Sequence, residues 1–100
     1  MIARIWRGIV RANAAEEYLR HLRERILPAY TSVDGGLGIH ILLDAKGEFV
    51  TALLLSFWES RAALDAFDDP QMNPEISREE REFLLASESA ATVYEVADEK

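Results

Sequence analysis

Between Phe49 and Ser60 the chain reads FVTALLLSFWES, with apolar residues at almost every position. Elsewhere the pattern is more familiar, alternating over short runs or recurring at helical intervals. A strand places successive side chains on opposite faces. One face of this stretch would therefore carry Phe49, Thr51, Leu53, Leu55 and Phe57, and the other Val50, Ala52, Leu54, Ser56 and Trp58. Both sets are apolar. Leaving either in water forgoes about 1.5–3 kcal/mol for each large side chain and exposes a contiguous patch of the kind that marks an interaction site. The pattern predicts a strand packed on the chain's own helices by one face and on a second copy of the chain by the other. A C-terminal segment folded across that second face would serve the same end.

The remaining elements follow from the same reading. Ile2 to Val10 is rich in Ile, Val and Trp and reads as a strand. Asn13 and Glu16 have the spacing of a capping box, and behind them Ala15, Tyr18, Leu19, Leu22 and Ile26 form an apolar helical stripe that Pro28 is expected to end. Leu37–Asp44 and Glu48–Trp58 read as a hairpin around Ala45-Lys46-Gly47. Ser60 is placed to cap a short helix, Arg61 to Phe67, and Ser77 to Glu80 has the spacing to open another running through Phe83, Leu84 and Leu85. Ala91–Val96 completes the set as a strand. The order strand, helix, strand, strand, helix, strand predicts an α+β fold, a ferredoxin-like βαββαβ sandwich with an antiparallel sheet and helices on one face. Residues 1–97 read as a single domain and 98–100 as a solvated tail.

Composition narrows the partners. A formal charge of −7 and a chain without cysteine exclude a thiolate site and argue against nucleic acid or an anionic membrane as partner. The start, MIARIWRGIVRA, lacks the long apolar core of a signal peptide, and no apolar run approaches a membrane span. A cytoplasmic location is the expectation. The Lys46-Gly47 strand lacks the aromatics that stack RNA bases, and GGLG lacks the strand-to-helix context of a dinucleotide site.

In combination, MIARIWRG, EEYLRHL, LPAY, GGLG and LLLSFWES followed by AALDAF and a closing YEV resemble the antibiotic biosynthesis monooxygenase domain of the dimeric α+β barrel superfamily. The resemblance spans nearly the whole chain except Asp68–Glu82. It implies a ferredoxin-like unit that dimerises sheet to sheet, with a pocket in each subunit between sheet and helices. It further implies cofactor-independent oxygenation of a small aromatic phenol or quinol. The alternatives are a non-catalytic ligand-binding or assembly module and, among enzymes, haem degradation. Against the last, Trp6 stands where the resemblance to haem degraders would require an asparagine, and DDPQMNPEISREE after Phe67 holds no histidine.

Within that frame the candidate catalytic residues are His40, Tyr18 and Arg4, for base and anion partner. The candidate substrate-binding residues are Trp6, Trp58, His21 and Phe67. With two histidines and no cysteine, neither a metal nor any other cofactor is expected. The expected partners are a second copy of the chain and a small aromatic ligand. An arginine on a buried sheet face would need a carboxylate or a ligand anion to balance it, and Glu95 is one such carboxylate.

Overall fold

The computed structural model describes residues 1–99. Its strands are β1 (Ile2–Arg11), β2 (Gly36–Lys46), β3 (Phe49–Trp58), β4 (Leu84–Ser87) and β5 (Thr92–Glu95); its helices are α1 (Ala15–His21), α2 (Leu27–Thr31), α3 (Arg61–Asp65) and α4 (Pro74–Arg81). The sheet runs β2-β3-β1-β4, every pairing is antiparallel, and β5 shares with β4 the edge of β1. This is the expected ferredoxin-like α+β arrangement, with one strand more than the sequence reading gave. Asp98 and Glu99 carry no regular structure, and Lys100, the end of the expected tail, lies outside the described residues.

Four local expectations are corrected. Asn13 does not cap the first helix: it sits in a 3-10 turn, Ala12–Ala14, and no side chain caps α1. The Ala12 N–H donates to the Glu48 carbonyl at 2.8 Å, which ties the end of β1 to the β2–β3 turn and begins the helical winding before Asn13. Pro28 does not end the helix. The turn Leu22–Ile26 widens to π geometry, closed by the Leu27 N–H on the Leu22 carbonyl, and Pro28 then falls in the first turn of α2. There its missing N–H costs nothing. The winding continues to Thr31, so Tyr18, Leu22, Ile26 and Tyr30 form one buried stripe.

Helix α4 starts earlier than Ser77. Asn73 caps it, its Oδ1 accepting from the Glu75 N–H at 2.9 Å, with Pro74 in the first turn. Leu84 and Leu85 consequently leave the helix and enter β4, where Leu84 pairs with Val10. The hairpin, finally, is tighter than expected: Lys46 pairs with Phe49, and Gly47 takes φ +61° in the turn between them. That left-handed conformation favours glycine.

The helices cover the sheet face that carries Arg4, Trp6, Val10, Val50, Ala52, Leu54, Ser56 and Trp58, all buried. Gly8 lies in the same row because the Trp6 ring rests across it; a Cβ there would stand 2.8 Å from Trp6 and 2.7 Å from Leu84. The other face carries Ile9, Leu42, Phe49 and Tyr94, which are exposed, and Leu53, Leu55 and Phe57, which are half-buried. The C-terminal segment does not fold across it. Instead β4 and β5 pair with β1 in succession, joined by the irregular residues 88–91, and the register of β4 on β1 shifts between Ile9 and Val10.

Candidate functional site

Arg4 is where the buried polar chemistry of this fold begins. It occupies the inner face of β1 opposite Ser56 and is only 7% exposed. Its Nη1 donates to the Tyr30 hydroxyl at 2.6 Å, and its Nη2 pairs with Asp69 Oδ2. Asp69, not Glu95, is therefore the balancing carboxylate. Glu95 lies opposite Ile2 in β5, and Arg7, on the other face, pairs with Glu88 at 3.2 Å. The second oxygen of Asp69 accepts the Gln71 N–H at 2.9 Å, which caps the 3-10 turn Pro70–Met72. One carboxylate thus holds both the buried cation and the segment between α3 and α4.

Aromatic rings pack directly beside this ion pair. Tyr30 lies 4.7 Å from Phe67 and Trp58 lies 4.8 Å from Phe67, centroid to centroid. The Trp58 N–H is satisfied by Ser56 Oγ at 3.0 Å. An open pocket beside Trp58 is not observed: Tyr30 and Phe67 fill that space, and Trp58 is 1% exposed. Burial pushes the Tyr30 phenol up to about 12, the nearby Arg4 charge offsetting only part of the effect.

The outside of the same segment forms a hollow of about 420 Å³, lined among others by Arg25, Pro28, Ala29, Asp69, Met72 and Ile76. Its size falls within the ~300–1,000 Å³ of small-molecule sites. Asp69 lines this hollow and Arg4 stands behind Asp69.

A second buried set adjoins the first through Gln71, whose Nε2 lies 3.3 Å from both oxygens of Glu80. Tyr18 donates to Glu80 at 3.4 Å, and His21 Nε2 approaches it to 3.7 Å. Burial raises the Glu80 carboxyl and lowers the His21 imidazole from their ordinary values. Burial also raises the Tyr18 phenol, with Glu80 adding to the effect. Tyr18 is a neutral hydrogen-bond donor here. Among the described residues, His21 Nε2 and Gln71 Oε1 are buried without a hydrogen-bond partner, and both flank Glu80.

The predicted site residues therefore divide. Arg4, Trp58 and Phe67 come together around Tyr30; Tyr18 and His21 gather around Glu80. Trp6 is buried in the inner row opposite Leu54, its N–H donating to the Glu88 carbonyl just beyond β4 at 3.2 Å. His40 is not brought to either set. It is exposed on the opposite face of the sheet, opposite Leu55 and edge-on to Phe57 at 6.3 Å. The sequence reading missed the roles of Asp69, Gln71 and Glu80. Asp-Pro and Asn-Pro in this stretch were signals of caps, but the carboxylate partners of Arg4 and Tyr18 are contacts at long range. Among the described residues no cluster of three or more His, Asp or Glu side chains could hold a metal ion, and no helix is long and apolar enough to cross a membrane.

The family model for antibiotic biosynthesis monooxygenases matches residues 1–70, and the chain belongs to that family. No curated protein matches its sequence. Solved structures share the fold over almost all of the chain. A candidate antibiotic biosynthesis monooxygenase from Deinococcus radiodurans is 15% identical with a TM-score of 0.73, covering 100% of this chain and 96% of that one. Rv0793 from Mycobacterium tuberculosis is 25% identical with a TM-score of 0.67, over 98% and 96%. The haem degrader MhuD, also from Mycobacterium tuberculosis and solved with two haems in its active site, is 22% identical with a TM-score of 0.67, over 100% and 99%.

Proposed function

We propose that this protein is a homodimeric, cofactor-independent monooxygenase of a small aromatic phenol or quinol, which binds between the sheet and the helices beside Trp58. The observation that carries this reading is a buried cation, Arg4, bonded to a phenol, Tyr30, next to the rings of Phe67 and Trp58. Because the space beside Trp58 is filled, an aromatic substrate has to displace the half-buried Phe67 ring to enter; it then presents its oxygen to Arg4, which holds it as the anion. The electron-rich ring then reduces O₂ directly. One oxygen atom enters the ring carbon and the other leaves as water, and the substrate supplies all four electrons. The protein's part is to hold the anion and keep the site dry.

Dimerisation uses the outer face of the sheet, where Leu53, Leu55, Phe57 and Leu42 lie together. Haem degradation is not proposed, because Trp6 and the histidine-free stretch after Phe67 depart from the haem degraders' pattern. A second reading, a binding or assembly module without catalysis, is favoured by the filled space around Trp58.

Tryptophan emission tests ligand binding. Naphthols and naphthoquinones added to the dimer change it saturably, and Trp58→Ala weakens binding more than Trp6→Ala in variants first shown to be folded. If no planar aromatic binds, the site reading fails.

A further inference from the structure

The connection between α3 and α4, residues 66–73, is held to the rest of the fold by very little. Phe67 packs on Trp58 and Tyr30, Asp69 pairs with Arg4, and Pro70 is buried. Among the described residues, its backbone hydrogen bonds all join positions no more than four apart, as Phe67 N–H to Leu64 and Met72 N–H to Asp69 do. None reaches the sheet or the first helix. Its one polar tie to the sheet is the Arg4–Asp69 pair. On the outer side the hollow of about 420 Å³ separates Met72 and Asn73 from Pro28 and Ala29, so the connection is not packed there.

The elements at its two ends are anchored. Just before α3 the Glu59 N–H donates to the Gly35 carbonyl at 2.8 Å, and a Cβ at Gly35 would stand 2.6 Å from Ala63. Helix α4 is bonded to the first helical stretch by Arg25 to Glu79 at 2.9 Å and by Tyr18 to Glu80. We infer that residues 66–73 form a strap that opens as a unit between two fixed helices, with the Arg4–Asp69 pair as its latch. Segments with few buried contacts open locally at far lower cost than the whole fold, and such openings gate many sites. Phe67 and Asp69 stand two residues apart on the strap. One movement therefore clears the ring's place over Trp58 and frees Arg4, the two things an aromatic substrate with an anionic oxygen requires together. This inference rests on the reading above for what enters, but the opening itself is measurable with no ligand present.

The test is native-state labelling with dithiobisnitrobenzoate, since the full chain has no cysteine of its own. Pro70→Cys places a thiol at the strap's buried position, and Val10→Cys places one in the sheet, where Val10 is 1% exposed. When reclosing outpaces labelling, each rate follows the population of the open form. The Pro70→Cys thiol should react about tenfold or more faster than that of Val10→Cys. Asp69→Asn breaks the latch and should speed Pro70→Cys about tenfold or more, and Phe67→Leu should speed it as well. Leu54→Val, a change in the sheet, should speed Val10→Cys alone. Equal rates for the two thiols, or a Leu54→Val that speeds both, would mean that the segment opens only by unfolding and would overturn the strap. So would a Pro70→Cys rate indifferent to Asp69→Asn or to Phe67→Leu. Should Asp69→Asn fail to fold, the comparison of the two thiols and the Phe67→Leu response still decide. A strap that opens in a protein that binds no planar aromatic keeps this inference and fails the aromatic-ligand reading. A protein that binds naphthol while Pro70→Cys reacts only through unfolding fails this inference alone.

Discussion

Arg4 and Tyr30 lie 26 positions apart and meet through a 2.6 Å hydrogen bond inside the fold. That bond exists because the helix passes Pro28 instead of stopping there. The π turn at Leu22–Ile26 carries the winding on to Thr31 and sets Tyr30 four residues beyond Ile26 on the buried stripe. Without it Arg4 would keep only Asp69.

Tyr30→Phe is accordingly a test of the cluster's energetics. The ring and its packing on Phe67 remain, and only the acceptor of a charged donor is lost. Bonds to charged groups contribute about 1.5–3 kcal/mol, so urea unfolding should give a loss of that order at unchanged m-value. A loss under about 0.5 kcal/mol, ordinary for surface changes, would mean that the Arg4–Tyr30 bond is not formed in solution.

The outer face of the sheet predicts the assembly. Leu55 sits between Ile5 of β1 and His40 of β2 on that face. Leu55→Lys places a charge at its centre and should convert a dimer into monomers or insoluble protein. Sedimentation equilibrium at micromolar concentration decides the matter; a monomeric wild type contradicts sheet-to-sheet pairing.

Glu80 predicts a pH dependence of stability. Burial raises its folded pKa above the ordinary 4.5. The folded state therefore holds more protons, and this contribution, full below 4.5, is lost as pH rises through the folded value. His21 is the opposite case. Its folded pKa is lowered from 6.5, so its contribution is present above 6.5 and lost as pH falls through the folded value. Glu80→Gln cancels only the first slope, and the amide can face Gln71 Oε1, which lacks a partner. The variant should unfold at the same temperature as the wild type near pH 4 and at a higher one at pH 8. A variant less stable at pH 8 would show that Glu80 is a needed carboxylate.

Much of the fold was legible because burial and periodicity coincide in it. The doubly apolar Phe49–Trp58 stretch became a central strand, paired on both sides by β1 and β2. Ser60 caps α3 through the Ala63 N–H at 3.1 Å, as its position suggested. What escaped the reading depends on context. Pro28 is usually a stop, and only the widened turn before it permits continuation. Leu84 and Leu85 suit helix or strand equally, and the Asn73 cap and the pairing with Val10 decide between them. In the site, Arg4, Tyr18, Trp58 and Phe67 were recognisable as residue types. Period alone could not say which face of β2 would carry His40 inward or outward. Nor could any local pattern bring Asp69 across 65 positions to Arg4.

Oxygen uptake tests the central claim most directly. Purified dimer is mixed with planar phenols and quinols in air-saturated buffer containing a chelator, with no flavin, metal or reductant, and followed at an oxygen electrode. The account predicts, for at least one compound that binds, enzyme-dependent uptake of one O₂ per substrate oxidised to the quinone. That uptake should be lost in Arg4→Gln and should survive in His40→Ala. Compounds that bind beside Trp58 yet consume no oxygen above the protein-free rate would contradict the oxygenase and leave a binding module.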